Sequence, residues 1–118
     1  MFHGLDELVD LNLSENKIKQ LDRFTFYSLP ALRTLNLAFN KIQTIHELAM
    51  ENLLSLTELN LTGNNLLHLH SSLFIALNNL KTIDISLNGM QVLENNAFKR
   101  LSEVQSLNIQ GNDLIVVS

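Results

Sequence analysis

Apolar and polar positions along this chain recur in one frame of 24 residues. Residues 56–66 read Leu-Thr-Glu-Leu-Asn-Leu-Thr-Gly-Asn-Asn-Leu, an instance of Leu-x-x-Leu-x-Leu-x-x-Asn-x-Leu. Residues 8–18 and 32–42 carry that form upstream. Residues 80–90 carry it with Ile83 and Ile85 in place of two leucines, and residues 104–114 carry it again. A constant step of this size marks a solenoid, in which each unit buries its apolar face only against its neighbours. The chain therefore reads as one solenoid segment: a partial unit at 1–7, full units at 8–31, 32–55, 56–79 and 80–103, and a partial unit at 104–118.

Each unit has two halves. In the first, apolar and polar residues alternate, as at Leu11, Asn12 and Leu13, which predicts a short strand with one buried face. Strands that recur after a return segment of constant length stack in parallel. Each strand then runs into an asparagine: Asn16, Asn40, Asn64, Asn88 or Asn112. A carboxamide offers two donors and an acceptor, so stacked amides at this turn should form a ladder between coils. The second half carries Ile18, Leu21, Phe26 and Leu29 in the first unit and their equivalents in the others. Phe-x-x-Leu is the spacing of a single helical turn with one apolar face. Ser71, Ser72 and Asn95 are candidate caps for such turns. Phe2, Phe26, Phe74 and Phe98 share one register and should stack as a spine, with Met50 filling the slot in the second full unit.

Composition narrows the chemistry. Hydrophobic residues make up 46% of the chain but aromatics only 6%, so the core is aliphatic and layered. The formal net charge is −4, with 8 lysines and arginines and no basic run. That argues against a nucleic-acid partner held through its phosphates, and against a polybasic membrane contact. There is no cysteine, hence neither a disulfide framework nor a thiolate metal site. No apolar run is long enough to cross a bilayer, and residues 1–5 lack the form of a signal peptide. The register starts and stops within a unit, so the chain is expected to be a slice of a longer protein. Open leucine layers at both ends, with Ile115, Val116 and Val117 at the last, should favour self-association and marginal stability.

The segment 56–66, followed by Leu69, Phe74 and Leu77, resembles the 24-residue typical class of leucine-rich repeat. It is similar to the repeats of Toll and Toll-like receptor ectodomains, small proteoglycan cores and cell-surface adhesion proteins. The resemblance covers nearly the whole chain. It implies an α/β solenoid: a right-handed coil with one short parallel β-strand per repeat on the concave face, and irregular or short helical turns on the convex face. It also implies secretion or surface display and non-catalytic recognition of a protein partner. Two departures stand out. Asp22, His46, His70 and Glu94 occupy a place where the family often has proline, and cysteine caps are absent.

Function should then sit on the strand residues that point away from the core. In the third repeat these are Thr57, Glu58, Asn60, Thr62 and Gly63, and the other repeats offer their equivalents, Ala38 and Ser86 included. Phe39 and Leu87 are the large apolar residues of the set, and Arg33, Glu58 and Lys81 are its charged candidates. Apolar anchors ringed by polar groups have the form of interface hot spots; packing on neighbouring turns is the structural alternative. Asn12-Leu-Ser and Asn60-Leu-Thr are N-glycosylation sequons. Asp22, His46, His70 and Glu94, with His68 nearby, read either as solvated side chains or as a column able to titrate or bind a transition metal. No cysteine nucleophile, phosphate-cradling glycine loop or zinc-binding His-Glu-x-x-His is present, so no enzyme activity, cofactor or metal is expected. The leading function is a receptor or adhesion repeat segment; a matrix or intracellular scaffold solenoid is the alternative.

Overall fold

A computed structural model describes residues 2–117, without the side chains of Phe98 and residues 115–117. Five short strands form one parallel sheet: β1 (Asp10–Asn12), β3 (Thr34–Asn36), β5 (Glu58–Asn60), β6 (Thr82–Asp84) and β8 (Ser106–Asn108). Their register follows the 24-residue frame, with Leu11, Leu35, Leu59, Ile83 and Leu107 side by side. The middle residue of each strand points inward. Leu35, Leu59 and Ile83 are each 2% exposed, whereas Leu11 and Leu107, with a coil on one side only, are half-buried. Fully burying one such side chain stabilises by about 1.5–3 kcal/mol.

The return segments vary. Residues 71–74 form a 3-10 turn (Ser71–Phe74), and the fourth full repeat carries an eight-residue helix, α1 (Asn95–Ser102). The capping expectation fails here. Ser71, Ser72 and Asn95 lie inside these elements, while His70 and Glu94 occupy the cap positions and make no side-chain cap bond. Phe2 and Phe26 stack with ring centroids 6.1 Å apart, and Met50 and Phe74 continue the buried column. The expected place of Phe98 in this spine lies outside the described side chains. Two further sheets of two strands each line one flank: β2 (Gln20–Leu21) with β4 (Thr44–Ile45), and β7 (Val92–Glu94) with β9 (Ile115–Val117). The third full repeat contributes no strand to either.

At the turn after each main strand the asparagines bridge coils. Asn64 Nδ2 donates to the carbonyls of Leu61 (3.0 Å) and Thr62 (3.3 Å) in its own coil and of Leu37 (3.1 Å) in the preceding one. Its Oδ1 accepts from the backbone N–H of Ile42 at 3.1 Å. Asn40 and Asn88 repeat this arrangement. Asn112 repeats its cross-coil part, donating to the Ile85 carbonyl and accepting from Met90 N–H. Asn16 is exposed and, among the described residues, bonds only carbonyls of its own coil, those of Leu13 and Ser14.

Candidate recognition surface

Parallel pairing sets equivalent residues of successive repeats side by side, so the concave face is a set of columns. Asp10, Thr34, Glu58, Thr82 and Ser106 form one. Asn12, Asn36, Asn60, Asp84 and Asn108 form the next. Between them runs an open trough of about 640 Å³ whose lining includes Asp10, Glu58 and Asp84 and no lysine or arginine. The cationic candidates Arg33 and Lys81 are exposed one residue before β3 and β6, flanking the trough.

The asparagine column carries a second set of repeated bonds, each within its own coil, that the sequence pattern alone did not disclose. Each side-chain Oδ1 accepts from the backbone N–H two residues on: Ser14, Ala38, Thr62 and Gln110 at 3.0 Å, and Ser86 at 2.9 Å. These are Asx turns, which curl the strand end toward the structural asparagine. The available signal was an Asn or Asp at one fixed place in every repeat. The curl also corrects part of the expected concave face. Ala38, Thr62 and Ser86, assigned to it as surface residues, are buried at 3%, 9% and 6% exposure. The turn tucks them beneath the adjoining coil, where the two hydroxyls are hydrogen-bonded.

Asp84 is the one charged member of its column. Burial pushes its carboxyl up, but donors from the Ser86 side chain, Thr62, the Ser86 backbone and Asn108 outweigh burial and hold it below the ordinary 3.8. A carboxylate whose pKa is depressed by folding adds stability above its unfolded pKa, and that stability disappears as pH falls through the folded value. Asp84→Asn should therefore destabilise the chain at pH about 6, and that effect should shrink by pH about 3, as pH falls from under the unfolded carboxyl's range toward the folded value. Urea unfolding at the two pH values checks this; a difference that persists in acid contradicts it.

Phe39 and Leu87 belong to a column with Glu15, Gly63 and Gly111, and all five have positive φ, between 55° and 72°. Left-handed backbone costs an L-residue roughly 1–2 kcal/mol and a glycine almost nothing. Gly63 and Gly111 meet this requirement without strain; Phe39 and Leu87 do not. Each large side chain lies over the glycine of the next repeat. A Cβ on Gly63 would fall 2.4 Å from Phe39 Cδ1, and one on Gly111 would fall 2.5 Å from Leu87 Cδ2. Even so, Phe39 is 52% and Leu87 57% exposed. Phe39 and Leu87 thus pack on a neighbouring turn and also present apolar surface.

The histidines are not gathered into a ligand set. His46 Nδ1 accepts from the Leu48 backbone N–H at 3.0 Å, and the His68 and His70 rings meet edge-on at 5.8 Å. Among the described residues no three His, Cys, Asp or Glu side chains lie close enough to hold a metal. An exposed aromatic pair on the return side was also missed: Phe24 and Tyr27 meet edge to face at 5.4 Å, with the Arg23 guanidinium 5.8 Å from the Phe24 centroid. Both fall outside the periodic apolar positions, so the repeat pattern carries no signal for them.

Comparison with known proteins decides the family. The leucine-rich repeat profile matches residues 6–66 and 54–114, which together span almost the whole chain. The chain belongs to the leucine-rich repeat family. Among solved structures it is similar to the crystal structure of the TLR13–ssRNA13 complex, at 35% identity and a TM-score of 0.83. That match covers 90% of this chain and 15% of the TLR13 chain. Comparison with curated proteins gave no match. The repeats explain the observed columns: among the described residues, the apolar side chains of the consensus pack between coils, and the intervening positions stand largely on the surface.

Proposed function

We propose that this chain is a non-catalytic protein-recognition segment of an extracellular or cell-surface receptor or adhesion molecule. It works by rigid display. The parallel sheet, the asparagine ladder and the Asx turns hold the trough and its edge in one geometry, so a partner meets a preorganised surface. The observation that carries this reading is the Phe39–Leu87 column. Two large apolar side chains occupy strained, half-exposed positions where the repeats following them have glycine. Glu15, Phe24 and Asn52 are left-handed too; within their column, what sets Phe39 and Leu87 apart is a large apolar side chain held exposed at such a position, and retained strain of that kind supports a functional role. TLR13 was crystallised with single-stranded RNA. In this chain a phosphate entering the trough would meet Asp10, Glu58 and Asp84 on a molecule of net charge −4. Repulsion of that sign favours a protein partner over nucleic acid.

The test displays the chain on cells and screens it against secreted and surface proteins, with single-stranded RNA alongside. Binding to a protein that falls at least tenfold in the Phe39→Gly/Leu87→Gly double variant is the expected result; tenfold is about 1.4 kcal/mol. Binding that is indifferent to both substitutions, or binding to RNA alone, contradicts the proposal.

A further inference from the structure

We infer that Asn12 and Asn60 are N-glycosylation sites whose glycans stand in the trough and leave the Phe39–Leu87 edge as the open contact surface. The inference rests on the proposed extracellular reading for its cellular setting, and on the structure for its geometry.

Of 15 asparagines, only these two are followed by the x-Ser or x-Thr that a sequon requires. The fold divides the asparagines into classes. The ladder residues Asn40, Asn64 and Asn88 are buried and spend Nδ2 on backbone carbonyls. Asn12 is exposed and Asn60 half-exposed, and both sit on the open face of the sheet. Their Oδ1 atoms are fixed inward on Ser14 N–H and Thr62 N–H, both at 3.0 Å. That bond leaves Nδ2 on the solvent side, and among the described residues neither Nδ2 has an acceptor within the chain. A glycan on Nδ2 therefore breaks no hydrogen bond of the fold. Asn12 and Asn60 lie in one column with Asn36 between them. At strand spacing they are about 10 Å apart, so two glycans would cover most of the trough.

The modification is an ordinary group transfer. The carboxamide nitrogen bonds to the anomeric carbon of a lipid-pyrophosphate oligosaccharide. The carbon–oxygen bond to pyrophosphate breaks, the lipid pyrophosphate leaves, and the nitrogen gives up one proton.

The structure also supplies a control. Asp84 holds the same Asx turn in the next repeat, accepting from Ser86 N–H at 2.9 Å. Asn12→Asp and Asn60→Asp thus keep the acceptor while abolishing the sequon. Intact mass should be measured on the full chain fused to a signal peptide and made in a mammalian secretory host. Material retained in the cell is included, since transfer precedes folding. The expected result is two glycans on the parent chain, one on each single variant and none on the double variant. An unmodified Asn12 or Asn60 overturns the assignment of that site. The glycosylated chain should fold and melt no lower than the unglycosylated Asn12→Asp/Asn60→Asp double variant, in which a second carboxylate stands beside Asp84; a glycosylated chain that fails to fold while the double variant folds would overturn the outward placement of Nδ2. Occupancy is read without a partner, whereas the Phe39/Leu87 test is read on the deglycosylated chain. Failure of one is therefore distinguishable from failure of the other.

Discussion

Asn64→Ala should be among the most damaging single substitutions on this chain, at roughly 3–4 kcal/mol by summing lost and orphaned hydrogen bonds. The residue is 4% exposed. Its loss does not affect all its partners equally. The carbonyls of Leu37 and Leu61 each accept from two ladder asparagines, so each keeps one bond, from Asn40 and Asn88 respectively. The N–H of Ile42 has only Asn64 Oδ1, and Ile42 is fully buried. That orphaned donor alone costs about 1–3 kcal/mol. Asn16→Ala is the internal control. Asn16 is exposed and makes no bond to another coil, so its loss should cost at most about 1 kcal/mol. Urea unfolding of the two variants checks the gradient. Equal losses would mean that the ladder acts only within each turn and does not couple coils.

Gly63→Ala is the second large effect. The added Cβ meets the Phe39 ring at 2.4 Å, and the backbone stays at φ +68°. Left-handed strain of roughly 1–2 kcal/mol adds to the displacement of a half-buried ring, for a total of about 2–3 kcal/mol. In a Phe39→Gly background the steric part has no partner, so the same substitution should cost only the strain. A double-mutant cycle reads the difference as coupling between the two sites. A cycle with no coupling would place the Phe39 ring away from Gly63.

What the sequence disclosed follows from which interactions are periodic. Leu59, Leu61, Asn64 and Leu66 meet the same neighbours in every coil, so one 24-residue frame revealed the strand, its buried face and the bridging turn. Asn60 and its column are visible as residues but not as a run of Asx turns. An Asx turn depends on the local path of the backbone, which the apolar pattern does not specify. Thr62 and Ser86 were placed on the surface because alternation was carried past the end of the strand, where the turn reverses it. The flank strands went unseen for a different reason. Strands of two or three residues exist only through their neighbours, and Gln20–Leu21 has no alternation of its own. The column of Glu15, Phe39, Gly63, Leu87 and Gly111 did carry a signal. Glycine at two of five equivalent positions indicates a positive φ at all of them, and hence strain at Phe39 and Leu87. Reading that signal required the turn geometry.

The central claim is a division of labour: the consensus residues wind the coil, and Phe39 and Leu87 serve a partner at some expense to the fold. The most direct test is the unfolding free energy of the Phe39→Gly/Leu87→Gly double variant. Lost packing of two half-buried side chains, at about 1–1.5 kcal/mol each, is offset by relief of two left-handed residues at roughly 1–2 kcal/mol each. The variant should therefore match the parent chain to within about 1 kcal/mol, while truncating buried core leucines or phenylalanines costs about 2–5 kcal/mol each. A loss of about 4 kcal/mol or more, the size of a core truncation, would make Phe39 and Leu87 structural residues and contradict the account.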